Sequence, residues 1–298
     1  MGMGKEIYDT YPVARALFER ADQILGFSVT KLCFEGPESE LNLTINAQPA
    51  IFTTSLAIWE VIKLHHADLQ PSATCGLSLG EFSALVAARA LSFEEGLKLV
   101  RKRGEWMHEA GSKNPGTMCS VVGLDEKGCE AVAEACGVQI ANYNSPEQIV
   151  LSGNKQGIEK AMALAKEKGA KKVIPLKVSG AFHSKLMDSV QSKLAGALPD
   201  VKLLPPQIEF IPNVTASFVN NIEEIRAHLA KQVTHSVRWT QTLRFIRDKG
   251  LRLALEMGPG KVLKGLAKRI LEDFTVHSVE SPADIHGVLS FLNEAAVR

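Results

Sequence analysis

Hydrophobic and polar residues along the chain alternate between helical and strand-like spacing. Apolar side chains recur at helical spacing over residues 5–26, and residues 47–66 form a longer apolar run with Pro49 close to its predicted first turn. Short strand-like segments follow at 118–124, 138–144, 148–153, 171–178, 208–214 and 251–258. Helical runs separate several of these segments, so the pattern predicts a layered α/β protein.

The segments between residues 115 and 178 have an order of their own. They run strand, helix, two strands, helix and strand, and they follow a stretch rich in Gly, Ser and Pro at 111–116. This is the order of a split βαβ, or ferredoxin-like, module. We therefore predict a large α/β domain formed by residues 1–114 and 179–298, with residues 115–178 inserted as a smaller α+β subdomain that forms one wall of a cleft.

Composition and charge exclude several classes of protein. With 45% hydrophobic and 22% charged residues among 298, the chain has the composition of a globular protein, and its net charge of +1 predicts no nucleic-acid partner. No apolar run reaches the roughly 18 residues that a membrane helix needs. Five cysteines at irregular spacing predict neither a disulfide framework nor a metal site, which favours a reducing compartment such as the cytoplasm. Nothing in the pattern requires an oligomer, so a monomer is possible.

The stretch CGLSLGEFSALVAA, residues 75–88, contains a candidate nucleophile. Ser78 lies between Gly76 and Gly80, as in a nucleophile elbow, where glycines relieve Cβ clashes on a strained turn between a strand and a helix. In that arrangement the backbone N–H of Leu79 can donate to an oxyanion at the N-terminus of the helix. Paired small residues also occur at ordinary strand-to-helix turns, so this motif alone leaves Ser78 as either a nucleophile or a turn residue.

A nucleophilic serine needs a base, because its hydroxyl is barely ionised near neutral pH. Of the eight histidines, His183 stands out because it occurs in the loop segment VSGAFHSKLM between a predicted strand and a helix. A loop can present such a side chain into a cleft. The alternative is a loop histidine that makes only a local hydrogen bond.

Several segments together resemble the malonyl-CoA:acyl carrier protein transacylases of fatty-acid and polyketide synthesis. That family has Gly-His-Ser-x-Gly-Glu at its nucleophile, and this chain has the same pattern at residues 76–81 with Leu77 in place of the histidine. The resemblance continues in the family's order through residues 46–57, 101–110, 142–153, 180–187, 237–243 and 256–266.

The resemblance implies a role for each matching residue. Ser78 corresponds to the nucleophile and His183 to its base, and the imidazole is oriented by a main-chain carbonyl in the segment around Gln232 rather than by an aspartate. Arg103, with Met107 in the family's Arg-Gly-x-x-Met pattern, corresponds to the arginine that binds the free carboxylate of malonyl. Without the resemblance, the run Arg101–Arg103 is typical of a solvated helix face.

Two asparagines fall in another matching segment. Asn142 and Asn144 correspond to residues that line the cleft, although Asn in the sequence NYNSP is also typical of a turn.

The implied activity is transfer of a malonyl group from malonyl-CoA to the phosphopantetheine thiol of acyl carrier protein, through a malonyl ester on Ser78. The implied fold is an α/β-hydrolase-like large domain with a mostly parallel sheet. No cofactor is implied, since malonyl-CoA is a substrate. An acidic carrier needs a basic landing site, and two groups could supply it: Lys166, Lys168, Lys171 and Lys172, or Lys261, Lys264, Lys268 and Arg269. Either group is also typical of a plain solvated face.

One departure from the family concerns the start of the chain. Family members begin with an apolar strand and a loop that contributes to the oxyanion site, whereas this chain begins at MGMGKEIYDTYP, which resembles the sequence after that loop. We therefore expect an N-terminally truncated form with weak or no activity, since a lost oxyanion donor typically costs about 10²–10³ in rate. A plastid location is possible if a transit peptide preceded this start.

Two other functions remain open on the sequence alone. A serine hydrolase or thioesterase of the α/β-hydrolase type would use an acid and then a late histidine, such as His277 or His286. A binding or scaffold protein without catalysis is the third possibility.

Overall fold

The secondary structure alternates as the sequence pattern predicts. A computed structural model describes residues 1–296. Its α-helices in chain order are Lys5–Thr10 (α1), Pro12–Leu25 (α2), Val29–Glu35 (α3), Glu38–Leu41 (α4), Thr44–His65 (α5), Gly80–Ala87 (α6), Phe93–Lys113 (α7), Glu126–Cys136 (α8), Lys155–Glu167 (α9), Asp188–Ala197 (α10), Ile222–Lys231 (α11), Trp239–Asp248 (α12), Val262–Ile270 (α13) and Pro282–Ala296 (α14). Its strands are Ala73–Cys75 (β1), Gly116–Val122 (β2), Gln139–Ser145 (β3), Gln148–Asn154 (β4), Lys172–Pro175 (β5), Glu209–Ile211 (β6), Leu253–Met257 (β7) and Thr275–Val279 (β8). Short 3₁₀ turns occur at Lys185–Met187, Leu198–Asp200 and Gln232–Thr234.

The strands pair in both directions, which makes the fold a mixed α/β fold and confirms the predicted class. The strands β3, β4, β2 and β5 form one antiparallel sheet in that order. Helices α8 and α9 pack on this sheet and close a separate hydrophobic core. Two further strand pairs, β1 with β6 and β7 with β8, are parallel.

Two predicted helices have different boundaries in the structure. The helical run predicted over 5–26 is two helices, because Tyr11 is extended, with φ −116° and ψ 115°, immediately before Pro12. A residue before proline is disfavoured in the helical conformation, and proline is well suited to the first helical position. Helix α5 begins at Thr44 rather than near residue 47, so Pro49 lies inside the helix and not in its first turn.

The proline inside α5 has a direct consequence for helix packing. Pro49 has no N–H to donate to the carbonyl of Ile45, four residues earlier. Arg101 of α7 donates to that carbonyl oxygen instead, at 3.0 Å. Gly104 of α7 packs against the same turn, where an added Cβ would lie 2.9 Å from the Cα of Ile45. The two longest helices of the described chain are thus in close contact beside residue 103.

The parallel pair β1–β6 brings two distant segments together. Ala73 pairs with Glu209 and Cys75 with Ile211, so both strands end at the same edge. Residues that follow the carboxyl ends of parallel strands lie close together, and this edge is where α/β proteins bind ligands. Ser78 and Asn213 follow these two strands.

The antiparallel sheet is joined to the rest of the molecule through β3. The N–H of Tyr143 donates to the carbonyl of Val237, and the N–H of Val237 donates to the carbonyl of Ala141. This pairing attaches β3 to the segment that follows the 3₁₀ turn Gln232–Thr234. Over residues 1–296, no helix combines the length and the apolar character that crossing a membrane requires.

Candidate active site

The turn that carries Ser78 connects β1 to α6. Ser78 has a φ of 52°, a left-handed conformation that is uncommon for a residue other than glycine and that recurs at functional sites. Gly76 allows this turn, because an added Cβ would lie 2.1 Å from the carbonyl carbon of Gly80. Gly80 is different, since an added Cβ there would meet no atom within 4 Å. Only the first of the two glycines is therefore required by space, which corrects the expectation that both relieve clashes.

Asn213 holds the Ser78 turn in place. Its Oδ1 accepts a hydrogen bond from the N–H of Ser78 at 2.6 Å, and its Nδ2 donates to the carbonyl of Gly76 at 2.6 Å. The side chain is 2% exposed, so both bonds are shielded from water. Sequence analysis did not identify Asn213. The available signal was its position near the carboxyl end of the strand predicted over 208–214; in the structure that strand, β6, ends at Ile211.

His183 lies within hydrogen-bond distance of Ser78. The distance from Ser78 Oγ to His183 Nε2 is 2.9 Å, and His183 Nδ1 lies 2.8 Å from the main-chain oxygen of Gln232. A carbonyl oxygen can only accept, so Nδ1 carries the proton and Nε2 is free to accept the proton of the serine hydroxyl. The φ of 57° at His183 is a second left-handed conformation at this site.

Burial keeps this imidazole neutral. His183 is 4% exposed, and burial together with the nearby charge of Arg103 lowers its pKa to about 4. The imidazole is therefore unprotonated at neutral pH and able to act as a base. Its second nitrogen meets a main-chain carbonyl, as the resemblance implied, and not a carboxylate.

Arg103 is buried beside the serine rather than on a solvated helix face. It is 1% exposed, and its NH2 donates to Ser78 Oγ at 3.0 Å and to Gln232 Oε1 at 2.9 Å. Its NH1 donates to Gln48 Oε1 at 2.6 Å. Burial lowers the pKa of Arg103 to about 10, so the guanidinium remains charged at neutral pH. Its Nε is also buried and has no partner in the described part of the protein.

Gln48 links Arg103 to Met107. The Nε2 of Gln48 donates to Thr44 Oγ1 at 2.9 Å and lies 3.4 Å from the sulfur of Met107, which is 3% exposed. Met107 therefore contacts the glutamine that holds the guanidinium. Gln48 lies in a segment that carried the resemblance, but its side chain was not among the predicted site residues.

Glu81 is buried behind the nucleophile. Its Oε2 accepts from the N–H of Asn213 at 3.0 Å and from Gln232 Nε2 at 2.8 Å, and the side chain is 0% exposed. Burial raises its pKa to about 7. Gln232 Nε2 also donates to the carbonyl of Ser78 at 2.9 Å. Sequence analysis missed Glu81, because an acidic residue in the first turn of a helix ordinarily faces solvent.

Leu79 follows Ser78 directly and precedes the first residue of α6. Its backbone N–H donates to no acceptor among residues 1–296. The amide is thus available at the positive end of a helix, next to the hydroxyl of Ser78.

Asn142 and Asn144 lie on β3, away from the hydrogen bonds described above. Asn142 is 7% exposed and pairs through its backbone with Val237. The Oδ1 of Asn144 is buried without a partner in the described chain. In residues 1–296 neither asparagine makes a hydrogen bond to Ser78, His183 or Arg103.

His277 and His286, the histidines that a hydrolase triad would use, lie away from Ser78. His277 is on β8, where its ring lies 5.0 Å from that of Phe291, and His286 is on α14. In the part of the protein that the structure describes, neither one bonds to Ser78. The geometry thus joins the serine to His183 and not to a late histidine.

The arrangement combines an oriented serine hydroxyl, a neutral imidazole and a fixed cation. It can form an ester on the serine, and the cation can bind an acyl group that carries a negative charge. Over residues 1–296 no group of three or more His, Cys, Asp or Glu side chains is placed to hold a metal ion.

Comparisons with known proteins agree with this chemistry. A family model described as the acyl transferase domain matches residues 1–286. The malonyl CoA-acyl carrier protein transacylase of Bacillus subtilis (strain 168) is 41% identical over 299 residues, which cover 99% of this chain and 94% of that protein. The protein of the same name from Haemophilus influenzae is 38% identical over 296 residues, with 98% and 95% covered.

Solved structures give the same result. An acyl-carrier-protein S-malonyltransferase from Burkholderia pseudomallei 1710b superimposes with a TM-score of 0.93 at 38% identity and covers 97% of this chain and 95% of its own. A malonyl-transacylase in complex with its type II polyketide acyl carrier protein superimposes with a TM-score of 0.93 at 37% identity, over 98% and 95%.

Proposed function

The chain belongs to the acyl transferase family, and we propose from this premise that it transfers a malonyl group from malonyl-CoA to acyl carrier protein in fatty-acid or polyketide synthesis. One observation carries the proposal beyond family membership. The buried guanidinium of Arg103 lies 3.0 Å from Ser78 Oγ, so a charged group stands where the far end of a short acyl chain on this serine would be.

The first half of the reaction loads the enzyme. Ser78 Oγ attacks the thioester carbonyl of malonyl-CoA while His183 Nε2 accepts the hydroxyl proton. The tetrahedral intermediate collapses, the carbon–sulfur bond breaks, and the imidazolium returns the proton to the coenzyme A thiolate. The product is a malonyl ester on Ser78.

The second half transfers the group to the carrier. The phosphopantetheine thiol gives its proton to His183 and attacks the ester carbonyl, and Ser78 leaves with that proton. The N–H of Leu79, which has no acceptor among residues 1–296, stabilises the oxyanion in both halves of the proposed reaction. No cofactor takes part, since malonyl-CoA is a substrate and both steps are acyl transfers between oxygen and sulfur.

Arg103 selects malonyl over acetyl groups. A guanidinium can make two parallel hydrogen bonds to a carboxylate, and its buried position makes each bond stronger than it would be in water. An acetyl group has no carboxylate and leaves the guanidinium without that partner. The resemblance of their segment to the family supports placing Asn142 and Asn144, on β3, in the wall of the same cleft.

The finer architecture follows from the same family. We propose that residues 115–178 form a ferredoxin-like subdomain inserted into an α/β-hydrolase-like domain built from residues 1–114 and 179–298. The strand order β3, β4, β2, β5 and the two helices on this sheet support the smaller unit. The enzyme acts in the cytoplasm, or in a plastid if a transit peptide directs it there.

The carrier docks on one of two basic surfaces. One lies at the end of α9 and on β5 (Lys166, Lys168, Lys171 and Lys172), and the other lies on and beside α13 (Lys261, Lys264, Lys268 and Arg269). The α13 surface is the better candidate, because Leu263 of this helix packs in the same hydrophobic cluster as Leu77, the residue before the nucleophile.

A transfer assay tests the proposed function. Malonyl-CoA and holo-acyl carrier protein are incubated with the enzyme, and malonyl carrier, free coenzyme A and free malonate are measured together. We expect malonyl carrier to form in step with coenzyme A. Release of free malonate with no malonyl carrier would instead indicate a hydrolase, and absence of both products would indicate a protein without catalysis.

A further inference from the structure

Arg103 and Glu81 are a buried cation and a buried carboxylate that do not touch. Arg103 is 1% exposed and Glu81 is 0% exposed, yet among the described side chains Arg103 donates to Gln48, Ser78 and Gln232 and to no carboxylate. Burying two opposite charges without direct contact is costly unless polar groups join them. The side chain of Gln232 does so, since its Oε1 accepts from Arg103 and its Nε2 donates to Glu81.

The orientation of the Gln232 amide is determined by its neighbours. Nε2 faces two groups that can only accept, the carbonyl of Ser78 at 2.9 Å and Glu81 Oε2 at 2.8 Å. Oε1 faces Arg103, which can only donate. A rotated amide would place donors against Arg103 and an oxygen against two acceptors. Glu81 therefore keeps the oxygen of Gln232 directed at the guanidinium.

The same carboxylate oxygen also holds the nucleophile turn. Glu81 Oε2 accepts from the N–H of Asn213 at 3.0 Å, and the Asn213 side chain bonds to the backbone of Gly76 and Ser78 on either side of the strained turn. Both bonds to Glu81 end on Oε2, while Oε1 is buried without a partner in the described chain. Both bonds therefore persist when the carboxyl is protonated on Oε1.

We propose that Glu81 is a positioning residue that acts through Gln232 on Arg103 and through Asn213 on Ser78. The inference rests on the proposed function, because the effect of a misplaced Arg103 is read in the choice between malonyl and acetyl groups. The side-chain amide of Gln232 also keeps Arg103 and Glu81 from forming a direct ion pair. A direct ion pair with Glu81 would compete with the malonyl carboxylate for Arg103, whereas a neutral amide holds the guanidinium and leaves its charge available.

Two substitutions separate this role from simple support of the fold. Glu81→Met is similar in length and removes both acceptor oxygens, whereas Glu81→Gln can keep one oxygen in the place of Oε2 and is the matched control that should retain the preference. Gln232→Met removes the bridge itself and keeps the main-chain carbonyl that bonds to His183. For each variant, kcat and KM are measured with malonyl-CoA and with acetyl-CoA, beside the thermal midpoint of unfolding.

Glu81→Met and Gln232→Met should each lower the malonyl-over-acetyl preference by about tenfold or more, the size expected for one hydrogen bond to a charged group. The double variant should show little further loss of preference, because both changes break one pathway. Glu81→Met should also slow acylation with both substrates, through Asn213 and the turn.

Three outcomes would overturn the inference. A role in folding alone would be indicated if kcat/KM fell equally with malonyl-CoA and with acetyl-CoA, so that the ratio of the two values stayed unchanged. Additive losses of preference in the double variant would show that Glu81 does not act through Gln232. Wild-type preference in Gln232→Met would show that the bridge does not position Arg103, even if Glu81→Met fails to fold. The proposed function fails separately, if wild-type protein transfers no malonyl group.

Discussion

Gly76 gives a direct test of whether the turn geometry places the nucleophile. A Cβ added at this position would lie 2.1 Å from the carbonyl carbon, 2.2 Å from the oxygen and 2.6 Å from the Cα of Gly80, against an ordinary contact of 3.4–4 Å. These are backbone atoms, so no side-chain rotation relieves the overlap. In Gly76→Ala the turn around Ser78 must therefore open by about 1 Å or more in a close-packed interior.

The cost of that displacement can be estimated for rate and for stability. A misplacement of about 1 Å at a reacting group costs on the order of 100-fold in rate. Overpacking in a folded interior costs about 1–3 kcal/mol of unfolding free energy. We therefore expect Gly76→Ala to fold and to form the malonyl enzyme at least about 100 times more slowly. Rapid quenching followed by intact mass measurement gives the rate, and thermal unfolding gives the stability.

Gly80→Ala is the matched control. Its Cβ would meet no atom within 4 Å, and Gly80 is the first residue of α6, where alanine favours the helix. This variant should acylate within about threefold of wild type. An acylation rate for Gly76→Ala within tenfold of wild type, or equal losses in the two variants, would show that the turn geometry at Gly76 does not place the nucleophile.

Four further predictions follow from the same site. Because the pKa of His183 is lowered to about 4, kcat/KM for malonyl transfer should rise with pH through about 4 and be level by pH 6; a midpoint near 6.5 would contradict this. Burial raises the pKa of Glu81 from 4.5 to about 7, so its contribution to folding stability is full below pH 4.5 and is lost as the pH rises through 7. The free energy of unfolding of wild type relative to Glu81→Gln, measured with urea, should therefore fall between pH 4.5 and 7. A difference that stays constant over this range would contradict the prediction. Arg103→Ala should abolish the malonyl-over-acetyl preference in competition assays, whereas Lys102→Ala, an exposed neighbour on the same helix, should keep it. Leu77→His should change acylation by no more than about tenfold, since the base is His183; a much larger gain would show that Leu77 disables the site.

The nucleophile, base and arginine could be predicted from the sequence through the family resemblance, because each short pattern taken alone also fits a turn, a loop or a solvated helix face. Ser78 is flanked by glycines, and Arg103 is followed by Gly104, which allows close contact with α5. Periodicity also predicted the four strands that form the antiparallel sheet. It missed β8, which reads TVHSV after a turn and carries a histidine in its middle. The break at Tyr11 was missed as well, although the proline that follows it was a usable signal.

The supporting residues were not accessible in the same way. Asn213 lies 135 residues from Ser78 in the chain and meets it only because β1 and β6 are parallel neighbours. In the sequence, Glu81 resembles any acidic residue in the first turn of a helix. Its burial depends on a hydrogen bond from Gln232, which lies 151 residues away in the chain. Such contacts depend on which elements pack together, and local spacing carries no information about that.

Every step of the proposed transfer depends on a malonyl ester at Ser78, and intact mass detects this ester directly. Wild-type protein and Ser78→Ala are mixed with malonyl-CoA, quenched within seconds and analysed by intact mass, with the modified peptide then located by fragmentation. We predict a mass increase of one malonyl group on wild type, located at Ser78, and none on the variant. No adduct on wild type, or an equal adduct on Ser78→Ala, would show that Ser78 does not carry the malonyl group.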